Sequence, residues 1–93
     1  MDPQDRAKEA IIDYWAEKVE EIEEKDIVVV WFAYILGGWK TLMFINAASI
    51  NYFEVTYNVA KEEMYLDHYQ KVHNQAIPDS SDFKMAQLRD RLM

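Results

Sequence analysis

Ninety-three residues, 51% of them hydrophobic, suffice for one small globular domain and leave no room for a second core. The absence of cysteine excludes disulfides, thiolate zinc sites and cysteine nucleophiles. Seventeen acids against 10 bases give a formal charge of −7, the reverse of the balance a general nucleic-acid binder needs.

The chain opens on Met1-Asp2-Pro3-Gln4-Asp5, acidic and polar, unlike the basic start of a secretory signal. Asp2 can cap a helix, Pro3 suits its first position, and Asp5 lies near the positive end of the dipole. Ile11, Ile12, Trp15, Val19 and Ile22 fall within an arc of about 100°, and this single apolar stripe predicts an amphipathic helix over 3–24. Residues 27–36 are β-branched, aromatic and uncharged, and read as a buried strand. They make the longest apolar run, about half of what a membrane-spanning helix needs, so a soluble, cytoplasmic protein is expected.

Gly37-Gly38 marks a turn into a second strand at 39–45. A polar loop then leads to a third strand at 51–57, where aromatic, β-branched and polar residues interleave. A fourth strand at about 62–67 is expected through a turn at 58–61. Tyr65, Tyr69, Val72 and Ala76 also keep helical spacing, so a short helical or irregular stretch is expected near Tyr69. Pro78 ends this segment, and Ser80-Ser81-Asp82 can cap a last helix at about 81–92, with Phe83, Ala86, Leu88 and Leu92 available for packing. The expected architecture over 1–93 is α+β: a helix, three or four antiparallel strands and a C-terminal helix. Plain alternation along the first strand puts Ile27, Val29, Trp31, Ala33 and Ile35 on one face and Val28, Val30, Phe32, Tyr34 and Leu36 on the other. The first helix can cover only one of these faces, which leaves the other to the C-terminal helix or to a partner chain.

Catalytic signals are thin, and a non-enzyme is expected. His68 and His73 are five residues apart, which suits neither a helix nor a strand as a metal pair, so no metal or cofactor is expected. Ser49, Ser80 and Ser81 sit in loop or cap sequence, with no G-x-S-x-G or phosphate-loop pattern. The many aromatics could stack bases on a sheet, but only Lys40 and Lys61 accompany them there, and core packing is the simpler reading.

Acid placement is more distinctive. On a helix reaching residue 24, Glu9, Asp13, Glu17, Glu20 and Glu24 fall within about 80° of arc, opposite the apolar stripe, and span about 22 Å. Like charges at i,i+4 cost a few tenths of a kcal/mol per pair, which a helix shaped for stability alone would avoid by interleaving lysine. The bland reading is a solvated face in an acidic protein. The functional reading is a row that imitates a phosphate backbone, extended by Glu62, Glu63 and Asp67 if the fold brings them near.

Four short motifs occur in order: Val29-Val30-Trp31-Phe32, Trp39-Lys40, Tyr52-Phe53-Glu54-Val55-Thr56-Tyr57-Asn58, and Tyr65-Leu66-Asp67-His68-Tyr69-Gln70-Lys71. With the preceding helix, this set resembles a family of small uncharacterised proteins encoded by phages and prophages of Gram-positive bacteria, over about residues 7–79. The pattern of that family has glycine after the asparagine matching Asn58. Val59-Ala60 stand there instead, which implies a longer or different turn. The resemblance carries over no catalytic residue; it implies a phage context in a host bacterial cell. Combined with the acidic row, that context points to an inhibitor of a host protein with a basic nucleic-acid-binding surface. Most concretely, it points to an anti-CRISPR protein that blocks DNA binding by a Cas9-type nuclease. The alternative expectation is a homo-oligomeric, for instance homodimeric, or structural phage accessory protein whose apolar sheet face is its interface.

Overall fold

The computed structural model describes residues 2–79 and runs as one helix, a 3₁₀ turn and four strands. Helix α1 spans Pro3–Lys18, with the Asp2 carboxylate accepting from the Gln4 amide at 2.7 Å and Pro3 in the first turn. It ends six residues before the predicted position. Continuing it would place Glu20, Glu21, Glu23 and Glu24 in the last turns, against the negative end of the helix dipole, whereas stopping at Lys18 leaves a cation there. Ile22 still packs against the core, but from the connecting segment. The apolar spacing was therefore a true burial signal and a false helix signal. The connection closes with the 3₁₀ turn Glu24–Asp26, where the Glu23 amide donates to the Asp26 carboxylate at 2.8 Å.

Strands β1 (Ile27–Ile35), β2 (Gly38–Ile45), β3 (Ala48–Asn58) and β4 (Glu63–Gln70) form one antiparallel meander in the order β1-β2-β3-β4. Alternation on β2 is regular: Trp39, Thr41, Met43 and Ile45 are buried, and Lys40, Leu42 and Phe44 turn the other way. Ala7, Ile11 and Trp15 of α1 share one core with Trp39, Met43, Ile45, Phe53, Val55 and Ile27. One helix thus covers one face of the sheet, and the other face is open among the described residues.

Strand β1 departs from plain alternation. Its register jumps between Val29, opposite Met43, and Trp31, opposite Leu42, so Val30 is the extra residue of a β-bulge. The bulge exchanges the faces: Ile27, Val29, Phe32 and Tyr34 lie opposite the core-facing side of β2, while Val28, Trp31, Ala33 and Ile35 lie on the open side. The Thr41 hydroxyl, fully buried, donates to the Trp31 carbonyl at 2.8 Å and ties down the strand beside the irregularity.

The turns follow local chemistry. Leu36 and Gly37 form the first hairpin turn, with Gly37 at φ +86° and Gly38 already in β2. The β3–β4 turn is a four-residue one, 59–62, in which the Asn58 side chain accepts from the Lys61 amide at 3.1 Å. Strand β4 continues through Tyr69 to Gln70, and 71–79 are irregular, without the short helical stretch that was one expectation. The expected C-terminal helix at about 81–92 lies outside the described residues. No helix among the described residues is long and apolar enough to cross a membrane.

Candidate functional site

The eight acids singled out from the sequence do not form one surface. Glu9, Asp13 and Glu17 project from α1 and are exposed. Glu9 and Asp13, with Arg6, Ala10 and Met64, line an open groove of about 480 Å³ between α1 and β4. Glu20 lies beyond the helix end, and Glu24, in the 3₁₀ turn, pairs with Lys8 at 3.6 Å. The row of five is therefore cut to three, spanning about 12 Å instead of about 22 Å. Glu62 stands at φ +53° in the turn that leads to Met64, and Glu63 opens β4. Asp67 lies across from Glu54 on the open face, turned away from α1. That places two carboxylates side by side, a destabilising arrangement that Lys40 offsets by its 3.0 Å contact with Glu54.

The surviving acids differ in how free they are. Glu9, Asp13 and Glu17 make no ion pair among the described residues, although Arg6 and Lys18 sit on the same helix. Those two cations lie instead over aromatic rings, Arg6 over Tyr57 at 4.9 Å and Lys18 over Tyr14 at 5.9 Å. Glu63 accepts a hydrogen bond from the Tyr65 hydroxyl. That bond, together with a small desolvation and the charge of the carboxylate, raises the pKa of Tyr65 above a tyrosine's ordinary value.

A polar network absent from the sequence reading joins α1 to β3 and β4. His68 meets the Tyr14 hydroxyl through Nδ1 at 2.9 Å and the Asn51 side-chain oxygen through Nε2 at 2.9 Å. Gln70 donates to the same Asn51 oxygen at 3.2 Å, and the Asn51 amide donates to the Ala48 carbonyl at 3.2 Å. An amide oxygen only accepts, so His68 donates through Nε2, and in the neutral Nε2–H tautomer Nδ1 accepts a hydrogen bond from the Tyr14 hydroxyl. The ring stacks on Phe53 at 4.7 Å and meets Tyr14 and Trp15 edge-on. A hydroxyl facing an imidazole nitrogen could begin a nucleophile–base pair, but the groove is lined by other residues and the network is shared out among structural partners. It works as a cross-tie. His68→Leu is expected to cost about 1–3 kcal/mol by leaving the Tyr14 hydroxyl and part of Asn51 unmatched. Urea denaturation measures this, and a change under about 0.5 kcal/mol would show the tie to be ornamental. The signal in the sequence was the Phe53–His68 cross-strand pairing, which becomes visible only once the β3–β4 register is known.

Two features point away from the acids. Among the described residues no group of three or more His, Cys, Asp or Glu side chains could hold a metal ion. Exposed large apolar side chains gather instead along β1 and its turn: Trp31 is 40% exposed, Tyr34 76% and Leu36 fully. On the open face they continue into half-buried Leu42, Phe44 and Tyr52, the last two in ring contact at 5.6 Å. No curated protein and no solved structure matches the chain. A family match extends over residues 4–79, from the first turn of α1 to the end of the described chain, and on that ground the chain belongs to the family of unknown function DUF6275.

Proposed function

We propose that this protein acts by binding other proteins rather than by catalysis, and that the uncharged β1 edge of its sheet, with the adjoining apolar part of the open face, is its docking surface. The observation that carries this reading is the gathering of Val28, Val30, Trp31, Tyr34, Ile35 and Leu36, all at least 37% exposed, on one strand and its turn. Exposed apolar residues scattered singly need no explanation, but a contiguous edge of them is characteristic of interaction sites. Aromatic side chains of this kind supply much of the energy of protein interfaces. Photo-crosslinking tests the surface directly. A benzoylphenylalanine at position 34 is expected to give protein adducts, and one at position 17 is not. Adducts from position 17 alone would move the docking surface to the helix and sink this reading.

A second, narrower reading is supported by the unpaired row Glu9, Asp13 and Glu17, of which Glu9 and Asp13 line the α1–β4 groove beside Met64. It is that of a phage-type inhibitor in a host bacterial cell whose carboxylates occupy a basic nucleic-acid-binding site, with a Cas9-type nuclease as the concrete candidate. Glu20 and Glu24, beyond the helix end, and Glu63 and Asp67, on the open face by strand parity, take no part in it, and Glu62 is not among the groove residues. The triple exchange E9Q/D13Q/E17Q should abolish inhibition of DNA cleavage by guide-loaded Cas9, while thermal stability stays level or rises slightly as like charges are removed. Wild-type protein that leaves cleavage untouched would end this reading for that nuclease.

A further inference from the structure

The two edges of the sheet are guarded very differently. Strand β4 carries Glu63, Asp67 and His68, and charge is one of the common protections of a sheet edge. Strand β1, with the sequence IVVVWFAYI, has no charged residue and no proline. It is the terminal strand of the meander, and among the described residues no strand or backbone hydrogen bond lies on its outer side. Its one protection is the bulge at Val30, which twists the first half of the strand and leaves 31–35 as a regular, uncharged segment.

We infer that this segment pairs with the same segment of a second copy, Trp31–Ile35 antiparallel to its counterpart about a two-fold axis at Ala33. The inference rests on the docking surface proposed above and names its occupant. Self-pairing in this register sets Trp31 against Ile35 of the partner copy on the open face, Phe32 against its Tyr34 on the other, and Ala33 against Ala33 at the axis. Large apolar side chains meet across both faces, and the smallest side chain of the segment occupies the crowded centre. Charge favours a copy over a charged partner. Each chain carries −7, yet no acid falls within the paired segment, so two copies meet there without like-charge repulsion, whereas a strongly basic or acidic strand would find no counter-charge. Within the paired segment Trp31, Tyr34 and Ile35 are the exposed large side chains; they offer roughly a few hundred Å² per copy, the size of a weak, reversible interface. Isologous pairing of this kind closes the sheet at eight strands, with the guarded β4 edges outermost.

Sedimentation equilibrium of the full chain from about 1 to about 200 µM is expected to show a reversible monomer–dimer transition. Ala33→Lys and Ala33→Glu, at an exposed position, each place like charges face to face across the dimer axis, and each should weaken the dimer at least about tenfold; because Ala33→Lys also meets Lys40 across β2 in its own chain, the melting curves of both variants are compared with wild type alongside. An equimolar mixture of the two variants should restore it. In this cysteine-free chain, Ala33→Cys should oxidise to a linked dimer, because antiparallel partners bring Cα atoms within disulfide reach, while Tyr65→Cys near the other edge should not. A strict monomer over the whole range, a dimer indifferent to both charge variants, or a mixture that stays monomeric would each overturn the proposal. A monomer whose β1 amides exchange slowly at every concentration would overturn it in favour of a cover from within the chain. If position 34 still crosslinks to another protein while the chain stays monomeric, the docking surface stands and its assignment to a second copy falls.

Discussion

Gly38→Ala is expected to destabilise the protein by about 3 kcal/mol or more, and to do so through backbone rather than side-chain crowding. A Cβ at Gly38 would lie 1.8 Å from the Tyr57 carbonyl oxygen and 2.9 Å from its carbon, distances that no rotamer change relieves. Gly38 pairs with Asn58 on β3 and with Ile35 on β1, so relief means prising β2 from β3 where all three strands meet. The stack of Trp39 on Tyr57, at 5.6 Å, and the Arg6 guanidinium over Tyr57 would move with it, taking along one wall of the α1–β4 groove. Gly37 supplies the internal control. It has open space around its missing Cβ and only the positive φ to lose, so Gly37→Ala should cost about 1–2 kcal/mol. Urea denaturation of both variants ranks them. A Gly38→Ala variant as stable as the wild type, or more stable than the Gly37→Ala variant, would show that the strands do not approach as closely as described.

That close approach also marks where the sequence could and could not be read. Gly37-Gly38 announced a turn, yet the turn is Leu36-Gly37, and the second glycine serves the sheet. A glycine pair records two separate backbone demands, and only the register tells which residue meets which. The same holds for the helix. Apolar spacing reports which side chains are buried, and Ile22 is half-buried as its spacing implied, but burial can be reached from a loop. The stop at Lys18 is set by carboxylates and a dipole, which periodicity does not record. The first three strands and their antiparallel arrangement were legible because three uncharged or alternating runs are separated by short turns, and short connections make antiparallel neighbours, whereas a fourth strand competed with helical spacing.

The candidate surfaces were less legible, for the same reason at longer range. Five acids share an arc only if the helix lasts to residue 24, so one early helix end removed two of them. Asp67 left the surface because strand parity placed it opposite Glu54 rather than toward α1. An apolar face of β1 left over by α1, for the C-terminal helix or a partner chain to cover, was foreseen, but the residues assigned to the two faces were wrong by parity beyond Val30. A single extra residue at Val30 exchanges Trp31, Ala33 and Ile35 with Phe32 and Tyr34. Bulges leave no mark in composition, and here the buried Thr41 that bonds the Trp31 carbonyl was the one polar residue at a core position of β2 that could have hinted at it.

Phe53→Ala is expected to be the most damaging single core change. The ring is fully buried, meets Tyr14 and Trp15 edge-on at 5.9 Å each, and carries the stacked His68 at 4.7 Å. Truncation removes the packing and also the platform that holds His68 between Tyr14 and Asn51, so the cavity term and the loosened hydrogen bonds act together. A cost of about 3–5 kcal/mol follows from the cavity alone. Set against the roughly 5 to 14 kcal/mol that a chain of this length holds, that leaves a protein partly unfolded or melting at least about 12 °C lower. Phe53→Leu, which refills part of the space but offers no ring for stacking, should fall between. Its shortfall relative to wild type, compared with the same exchange in a His68→Leu background, isolates the part of the loss that runs through the cross-tie. A melting curve within about 2 °C of wild type for Phe53→Ala would mean that α1 is not seated on this ring, and the division of the sheet into a covered and an open face would fall with it.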